Sequence, residues 1–151
     1  MTTVGILGAG QLGRMLALAG YPLGMRFRFL DPASNSPANL LADHLAFDYA
    51  EKFALEQFAR GLDVITYEFE NVPVDAARYL EKFVPVYPSP IALEKAQDRF
   101  VEKSFFCELD IPTPKFTTDM NTAVGFPAVL KTRRMGYDGK GQTIINLATE
   151  L

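Results

Sequence analysis

Lys131 ends an apolar run near the end of this 151-residue chain, and glycines alternate with polar residues in the stretch 136–142 that follows. Glycine lets a backbone approach an anion closely and adopt positive φ, which leaves N–H groups free to donate. Lys131 and Lys140 would add mobile positive charge. An apolar run, 143–145, comes next, so the loop joins two strands and is not a P-loop, which opens a helix. The pattern predicts a phosphate-gripping hairpin. Glycine spacing alone fits an ordinary hairpin with solvated lysines equally well, and Lys131 favours phosphate.

A second glycine-rich turn lies near the start of the chain, where Gly8, Gly10 and Gly13 follow an apolar strand and precede a helix pattern. Asp31 ends the next strand, and its separation in sequence from the last glycine is close to the roughly 20 residues found in dinucleotide sites. This GxGxxG pattern alone indicates an NAD-binding Rossmann domain. Two other interpretations stay open: the glycines permit a tight strand–helix turn, or they hold another phosphate or a ribose. Asp31 also suits an ordinary turn, and a hydride-transfer enzyme has no use for the downstream hairpin.

Further polar residues occur where ligands commonly bind. The predicted strand Val64–Tyr67 delivers Glu68 and Glu70 at its carboxyl end, the edge at which parallel sheets bind ligands. The alternative for both acids is an exposed loop pair. Arg99 follows Asp98 in a helix pattern, and it is either a phosphate ligand or a solvated helix arginine.

The composition excludes several classes of protein. A net charge of −3 and a pI near 5.2 argue against a general nucleic-acid or membrane-surface binder. The one cysteine, Cys107, lies among apolar residues, which predicts a core thiol and a reducing cytoplasm. The sole histidine, His44, fits a packed or surface position better than a catalytic one. No long apolar segment is present, so we expect neither export nor a membrane span.

Short apolar strands alternate with helix patterns up to residue 87, which predicts an α/β fold with a parallel, doubly wound sheet. The first helix pattern places Leu12, Met15, Leu16 and Ala19 on one face. The other predicted elements are strands over residues 3–7, 27–30, 45–47, 64–67 and 84–87, a short helical piece at Ser36-Pro37, and helices over 51–60 and from Pro73.

The organisation changes after residue 88. Ser89-Pro90 predicts a helix that runs to about Gln97, and Asp98 predicts the N-cap of a second helix. We therefore expect three parts: a sheet domain over 1–88, a helical connector over 89–113, and an incomplete second domain over 114–151. Two or three strands cannot bury a sheet face alone.

Four motifs, in this order and spacing, resemble the N5-carboxyaminoimidazole ribonucleotide synthase family of ATP-grasp carboxylases (PurK-type) over nearly the whole chain. The motifs are Gly10-Gln11-Leu12-Gly13-Arg14-Met15, Tyr67-Glu68-Phe69-Glu70-Asn71-Val72-Pro73, Ala96-Gln97-Asp98-Arg99, and the run from Lys131 to Gln142. The resemblance implies a pre-ATP-grasp (Rossmann-like) domain, a helical connector and the first strands of an ATP-grasp domain. It also implies that ATP and bicarbonate form carboxyphosphate, whose carboxyl group passes to the amine of aminoimidazole ribonucleotide.

The resemblance assigns roles residue by residue. Arg99 and Lys131 match ATP contacts, and Asp138 and Lys140 match positions that line the carboxylation site. Glu68 matches an acid near the aminoimidazole ribonucleotide. Two further residues, Gln11 and Leu12, match the family's substrate cleft. The residues that match the family's loop over the nucleotide phosphates are Gly136, Tyr137, Asp138, Gly139, Lys140, Gly141 and Gln142. The family further implies Mg²⁺, with ligands expected beyond Leu151, and a homodimer.

Two departures from the family limit this interpretation. The family is more than twice as long, with its metal-binding carboxylates and adenine pocket beyond Leu151, so we expect this chain to be inactive alone. Residues 117–125 are also too few for a helix that the family usually has there. Two rival functions remain open: another ATP-grasp ligase of purine metabolism, which would share the hairpin, and a non-catalytic nucleotide-binding module. The motif 67–73 favours the carboxylase.

Overall fold

The computed structural model describes residues 1–119, 124–136 and 138–147. The chain divides into two compact units, Met1–Leu93 and Glu94–Leu151. Tyr137 and part of the short segment 117–125 lie outside the described residues. Within the described ranges, no helix has the length and apolar character needed to cross a membrane.

Four parallel strands form the sheet of the first unit, in the order β3-β2-β1-β4. β1 pairs with β2 on one side and with β4 on the other, so the strand order reverses at β1. This reversal is the switch point of a doubly wound sheet and confirms the predicted fold class. The elements are β1 (Thr3–Leu7), α1 (Gln11–Gly20), a 3-10 turn (Tyr21–Leu23), β2 (Arg26–Leu30), β3 (Asp43–Leu45), α2 (Lys52–Ala59), β4 (Val64–Tyr67) and α3 (Val74–Leu80).

Successive residues of a strand point to opposite sides of the sheet, and helices cover both sides here. Ile6 and Phe29 pack with Ala17 of α1 on one face. Leu7 and Leu30 pack with residues of α2 and α3 on the other. Each large apolar side chain that is fully buried contributes about 1.5–3 kcal/mol. The two cores fix α1 and the carboxyl ends of β1 and β4 in one arrangement.

The helix α1 packs through small residues and not through its predicted apolar face. Ala17 and Gly20 are buried, whereas Leu12 and Met15 are each 55% exposed. The reason is the close approach of the helix to the sheet: a Cβ on Gly20 would lie 2.3 Å from the ring of Phe27. Large side chains on that side would hold the helix away, so they face outward.

Two further predicted elements lie elsewhere or do not form. The third strand is β3, over Asp43–Leu45 and not 45–47, because residues 43–45 are the ones in register with β2. The helical piece predicted at Ser36-Pro37 is replaced by turns. The Ser36 hydroxyl and the Asn39 amide donate to nearby carbonyl oxygens, and such local bonds compete with helix formation.

The strand predicted over 84–87 is reduced to one bridge, in which Val86 lies beside Ile65 of β4. Ile65 donates to the carbonyl of Pro85 at 2.9 Å and accepts from Tyr87 N–H at 2.9 Å. Proline has no N–H with which to extend a ladder. Pro85 and Pro88, on either side of the bridge, therefore stop the strand.

Two helices, α4 (Pro90–Gln97) and α5 (Arg99–Glu108), follow in the chain, and the second unit then contains an antiparallel hairpin of β5 (Ala128–Lys131) and β6 (Gln142–Ile145). The division between the units falls within α4. Asp98 caps α5, as predicted, by accepting from the N–H groups of Phe100 and Val101. None of the ten residues of α5, all of them described, is buried. Cys107 on this helix is exposed, so the prediction of a core thiol is wrong.

The packing of α2 generates a test of this fold. Phe58 is fully buried beneath the sheet, whereas Phe53 on the same helix is 71% exposed. Phe58→Ala should lower the free energy of unfolding by about 3–5 kcal/mol, because it leaves a cavity. Phe53→Ala is the matched control and should change it by less than about 0.5 kcal/mol. Urea unfolding followed by circular dichroism gives both values, and equal losses would contradict the arrangement.

Candidate functional site

The switch point brings together the turn after β1 and the turn after β4. These strands are neighbours in the sheet, with Leu7 opposite Tyr67, so residues that follow them meet at one edge. Glu68 continues the pairing, since its N–H donates to the carbonyl of Leu7 at 3.2 Å. This edge is where ligands bind in open α/β sheets.

The carboxylate of Glu68 lies inside the glycine-rich turn. Gly10 N–H donates to Oε1 at 2.6 Å, and Gly13 N–H donates to Oε2. A Cβ on Gly8, Gly10 or Gly13 would come within 2.5, 2.7 or 2.9 Å of Glu68 side-chain atoms, respectively. Because Gly10 and Gly13 stand at the N-terminus of α1, the carboxylate also meets the positive end of that helix.

Asp31 is used within the protein as well. Its Oδ2 accepts from Ala9 N–H at 3.0 Å, and its Oδ1 accepts from Ala33 N–H at 2.8 Å. A dinucleotide site needs the glycine N–H groups for a pyrophosphate and the acid for a ribose. In this structure both sets of groups have protein partners.

Tyr49 lies near the same carboxylates, and nothing in the sequence pattern indicated it. Burial first, and then the negative charges of Asp31 and Glu68, raise the pKa of Tyr49 above its ordinary value of 10.0. Its enclosed hydroxyl has no hydrogen-bond partner among the described residues. The side chain is therefore neutral at physiological pH and retains a hydroxyl that can donate.

Gln11 and Leu12 are the first two residues of α1, and both are exposed beside the turn that holds Glu68. Glu70, the other acid of the predicted pair, is exposed in the turn after β4. The structure thus distinguishes the two acids, since only the Glu68 carboxylate is held by the glycine turn.

The second group of predicted residues lies on the hairpin. Lys131 ends β5 directly opposite Gln142 of β6, so both stand at the start of the connecting loop. Thr132 N–H donates to the carbonyl of Gly141 at 2.8 Å and closes the base of that loop. A Cβ on Gly141 would lie 2.5 Å from Thr132 Oγ1. The glycine therefore permits a close approach that the sequence pattern did not reveal.

The tip of the loop turns through the left-handed region. Asp138, Gly139 and Gly141 have φ of 46°, 79° and 68°. Asp138 and Lys140 are exposed in this turn, and Tyr137 lies outside the described residues. This confirms the predicted glycine-dependent hairpin and leaves polar side chains at its tip.

Arg99 fastens the loop to the start of α5. Its Nη2 donates to the carbonyl of Gly136 at 2.8 Å, and its backbone N–H donates to the carbonyl of Arg133 at 2.9 Å. The structure therefore brings Arg99 together with the loop that follows Lys131. The Arg99 side chain is thus hydrogen-bonded to the loop, and its role as a phosphate ligand stays a prediction.

Asp98 is a positioning residue that the sequence indicated only as a helix cap. Its carboxylate pairs with Arg133 Nη2 at 2.7 Å and lies 3.8 Å from Arg134 Nε. Arg133 Nε also donates to it at 3.0 Å. Burial tends to raise the pKa of Asp98, but hydrogen bonds from Arg133 and from two backbone N–H groups of α5 outweigh this and hold the pKa below 3.8.

The described residues do not form a metal centre. Over 1–119, 124–136 and 138–147, no group of three or more His, Cys, Asp or Glu side chains could hold a metal ion.

Two protein families match this chain. The ribonucleotide synthetase preATP-grasp domain matches residues 1–97, and the ATP-grasp domain matches residues 96–151. N5-carboxyaminoimidazole ribonucleotide synthase of Pseudomonas aeruginosa is 51% identical over an alignment of 150 residues that covers 94% of this chain and 42% of that protein. The enzyme of the same name from Brucella melitensis is 46% identical and covers 93% of this chain and 41% of its own length.

Solved structures agree with these similarities. The crystal structure of N5-carboxyaminoimidazole ribonucleotide synthetase from Thermus thermophilus has a TM-score of 0.87 at 50% identity, over 97% of this chain and 41% of that one. N5-carboxyaminoimidazole synthase from Aspergillus clavatus, in complex with ADP and 5-aminoimidazole ribonucleotide, has a TM-score of 0.81 at 29% identity, over 99% and 42%. The chain thus spans about two fifths of the length of these relatives.

The Asp98–Arg133 pair predicts a dependence of stability on pH. Folding lowers the pKa of Asp98. The contribution of its carboxylate to the free energy of unfolding is therefore complete above the ordinary pKa, and it is lost as the pH falls through the pKa of the folded protein. Asp98→Asn keeps a good N-cap residue but loses the ion pair. It should therefore lower the free energy of unfolding by about 1–2 kcal/mol at pH 7.

Thermal unfolding of both proteins at several pH values checks this expectation. The difference between the native protein and Asp98→Asn should shrink below a pH of about 4. Asp75→Asn is the matched control, since Asp75 is an acid in the first turn of α3 that does not take part in this pair. A difference for Asp98→Asn that stays constant down to the lowest pH would contradict the assigned role of the charge.

Proposed function

Because this chain belongs to the N5-carboxyaminoimidazole ribonucleotide synthase family of ATP-grasp proteins, we propose that a protein of full family length carrying it carboxylates 5-aminoimidazole ribonucleotide. ATP and bicarbonate are the co-substrates, and N5-carboxyaminoimidazole ribonucleotide, ADP and phosphate are the products. The observation that supports this most directly is the hairpin, where Lys131 stands at the base of a glycine loop fastened by Arg99.

The reaction has two steps. A bicarbonate oxygen attacks the γ-phosphorus of ATP, which breaks the bond to ADP and forms carboxyphosphate. The amine nitrogen of the ribonucleotide then attacks the carboxyl carbon, the phosphate leaves, and the nitrogen loses a proton. Phosphoryl transfer depends on positioning and charge neutralisation more than on a strong base. Cations and backbone N–H groups are the groups suited to it.

We assign the ATP contacts to the hairpin and to the start of α5. Lys131 and Arg99 neutralise phosphate charge, and the loop covers the phosphates and shields carboxyphosphate from water. Asp138 and Lys140, at the exposed tip of the loop, act in the carboxylation step. The full set assigned to ATP is Arg99, Lys131, Gly136, Tyr137, Asp138, Gly139, Lys140, Gly141 and Gln142.

We assign the aminoimidazole ribonucleotide to the edge of the first sheet. Glu68 accepts hydrogen bonds from hydroxyl or amine groups of the ligand, and Gln11 and Leu12 line the same place. The carboxylate lies at the switch point, which is where open α/β sheets bind ligands. The complex of the Aspergillus clavatus relative with ADP and this ribonucleotide supports the choice of substrates.

Further proposals concern the whole protein. It acts as a cytoplasmic homodimer, for which the exposed apolar face of α1 supplies unpaired surface. Mg²⁺ accompanies ATP. The described residues hold no cluster of carboxylates for the ion. The alternative, another ATP-grasp ligase of purine metabolism, would use the same hairpin with a different acceptor.

Ligand binding separates this proposal from a dinucleotide site. With the glycine turn occupied by Glu68 and both oxygens of Asp31 engaged, NAD should not bind. ATP should bind through the hairpin. Calorimetric titration of a protein of full family length with each ligand measures both. Micromolar binding of NAD without any ATP signal would refute the assignment.

Two substitutions should divide the reaction into its steps. Lys131→Ala removes charge that neutralises phosphate in both the ground and transition states, so it should weaken ATP binding and stop ATP cleavage. Asp138→Ala should retain bicarbonate-dependent ATP cleavage but reduce carboxylated product. Each lost contact should cost about 2–4 kcal/mol, a hundredfold effect or more.

The assay follows ADP and carboxylated product together. Lys115→Ala is a suitable control, because Lys115 is a residue of the same unit that has no assigned role, and it should leave both rates close to native. If Asp138→Ala loses ADP and product in strict proportion, the proposed division of labour is wrong. If the native protein makes no carboxylated product, the function itself is wrong.

A further inference from the structure

We infer that the GxGxxG turn is a cradle built for the protein's own Glu68 carboxylate, and that Gly10 and Gly13 are positioning residues which orient this carboxylate for substrate. The inference rests on the proposed function for the identity of the substrate. The cradle itself rests only on contacts within the first unit.

Backbone conformation explains the glycine at one of the three positions but not at the other two. Gly8 has a φ of 99°, which favours glycine whatever its neighbours are. Gly10 has φ −74° and ψ −163°, a conformation that any residue adopts. Gly13 lies within α1, where alanine is the better helix former. The absence of side chains at 10 and 13 therefore needs another cause.

Glu68 supplies that cause. The three atoms nearest to a Cβ on Gly10 all belong to Glu68, the closest being Oε1 at 2.7 Å. A Cβ on Gly13 would lie 2.9 Å from Glu68 Oε2 and 3.1 Å from the carbonyl oxygen of Gly8. A methyl group at either position would push the carboxylate out of the turn. The glycines thus leave room for a carboxylate in the place where other such turns leave room for a phosphate.

The two hydrogen bonds also fix the direction of the carboxylate. Gly10 N–H takes one oxygen and Gly13 N–H takes the other, so the group cannot rotate freely. A carboxylate has about four lone-pair sites, and each oxygen keeps one for a further donor. Glu68 is therefore oriented in advance for the hydroxyl or amine donors of the ribonucleotide. Such preorganisation reduces the entropy lost on binding.

A double-mutant cycle on thermal stability tests the cradle without reference to activity. Gly10→Ala and Glu68→Ala remove the same carboxylate contacts, the first by displacement and the second by deletion. In a protein of full family length, each should lower Tm by about 2 °C or more. The double variant should be no less stable than the worse single variant. If Gly10→Ala alone does not fold, the cradle predicts that the double variant does fold, because Glu68→Ala removes the side chain that the new methyl group would displace.

Gly5→Ala is the matched control for crowding. It lies in β1, and its Cβ would meet Leu62 at 2.3 Å and Phe58 at 2.8 Å rather than Glu68. It should therefore lower Tm with or without Glu68→Ala. If Gly10→Ala behaves like this control and lowers Tm equally with and without Glu68→Ala, the glycine serves the turn or another ligand. That outcome refutes the cradle.

Steady-state kinetics tests the positioning role. Gly10→Ala should raise KM for 5-aminoimidazole ribonucleotide about tenfold and leave KM for ATP within about twofold, because the contacts assigned to ATP are on the hairpin. Glu68→Gln should show the same split, since the amide keeps the volume but offers one acceptor oxygen instead of two. Gly5→Ala should leave the ratio of the two KM values unchanged.

An equal rise in both KM values for Gly10→Ala would overturn the positioning role and leave only a structural one. The proposed function fails in a different way. A native protein that forms no carboxylated product would refute the function, while the thermal cycle would still support or refute the cradle.

Discussion

A negatively charged side chain placed against backbone N–H groups recurs at both candidate sites, and the local structure around each depends on it. In the first unit, Glu68 joins the end of β4 to the start of α1 through Gly10 and Gly13. A helix N-terminus leaves its first N–H groups without intrahelical partners. A carboxylate brought from another strand satisfies two of them, so the turn after β1 and the turn after β4 are held as one piece.

Asp98 has a comparable role in the second unit. It accepts from two N–H groups at the start of α5 and pairs with Arg133, which lies between Lys131 and the glycine loop. Arg99, the next residue, then reaches Gly136 in that loop. One carboxylate therefore sets both the start of the helix and the base of the loop. Hydrogen bonds to charged groups in partly buried positions are strong enough to hold such an arrangement.

The sequence predicted those elements whose cause is local. The strand Val64–Tyr67, the cap at Asp98 and the β5–β6 hairpin all follow from apolar runs, capping residues and glycines. The predictions failed where distant contacts decide the outcome. Periodicity identified α1 but not its packing face, because the close approach of Gly20 to Phe27 depends on the sheet.

The same limit applies to the candidate sites. The glycine pattern indicated an anion site at the turn after β1, and the structure places an anion there. That anion is Glu68, 58 residues from Gly10 in sequence, and no spacing rule connects the two positions. The bond from Arg99 to Gly136 and the pairing of Asp98 with Arg133 likewise join segments that lie far apart in the chain.

The proline-flanked bridge beside β4 has a consequence for how this protein behaves in a crowded solution. The outer edge of a sheet presents unpaired N–H and C=O groups, which can template the addition of a strand from another molecule. Here Ile65 already exchanges its hydrogen bonds with Pro85 and Tyr87, and Pro85 and Pro88 have no N–H to offer. On the β4 side, the sheet thus ends in a segment that a foreign strand cannot readily extend, which removes this edge as a template for edge-to-edge pairing.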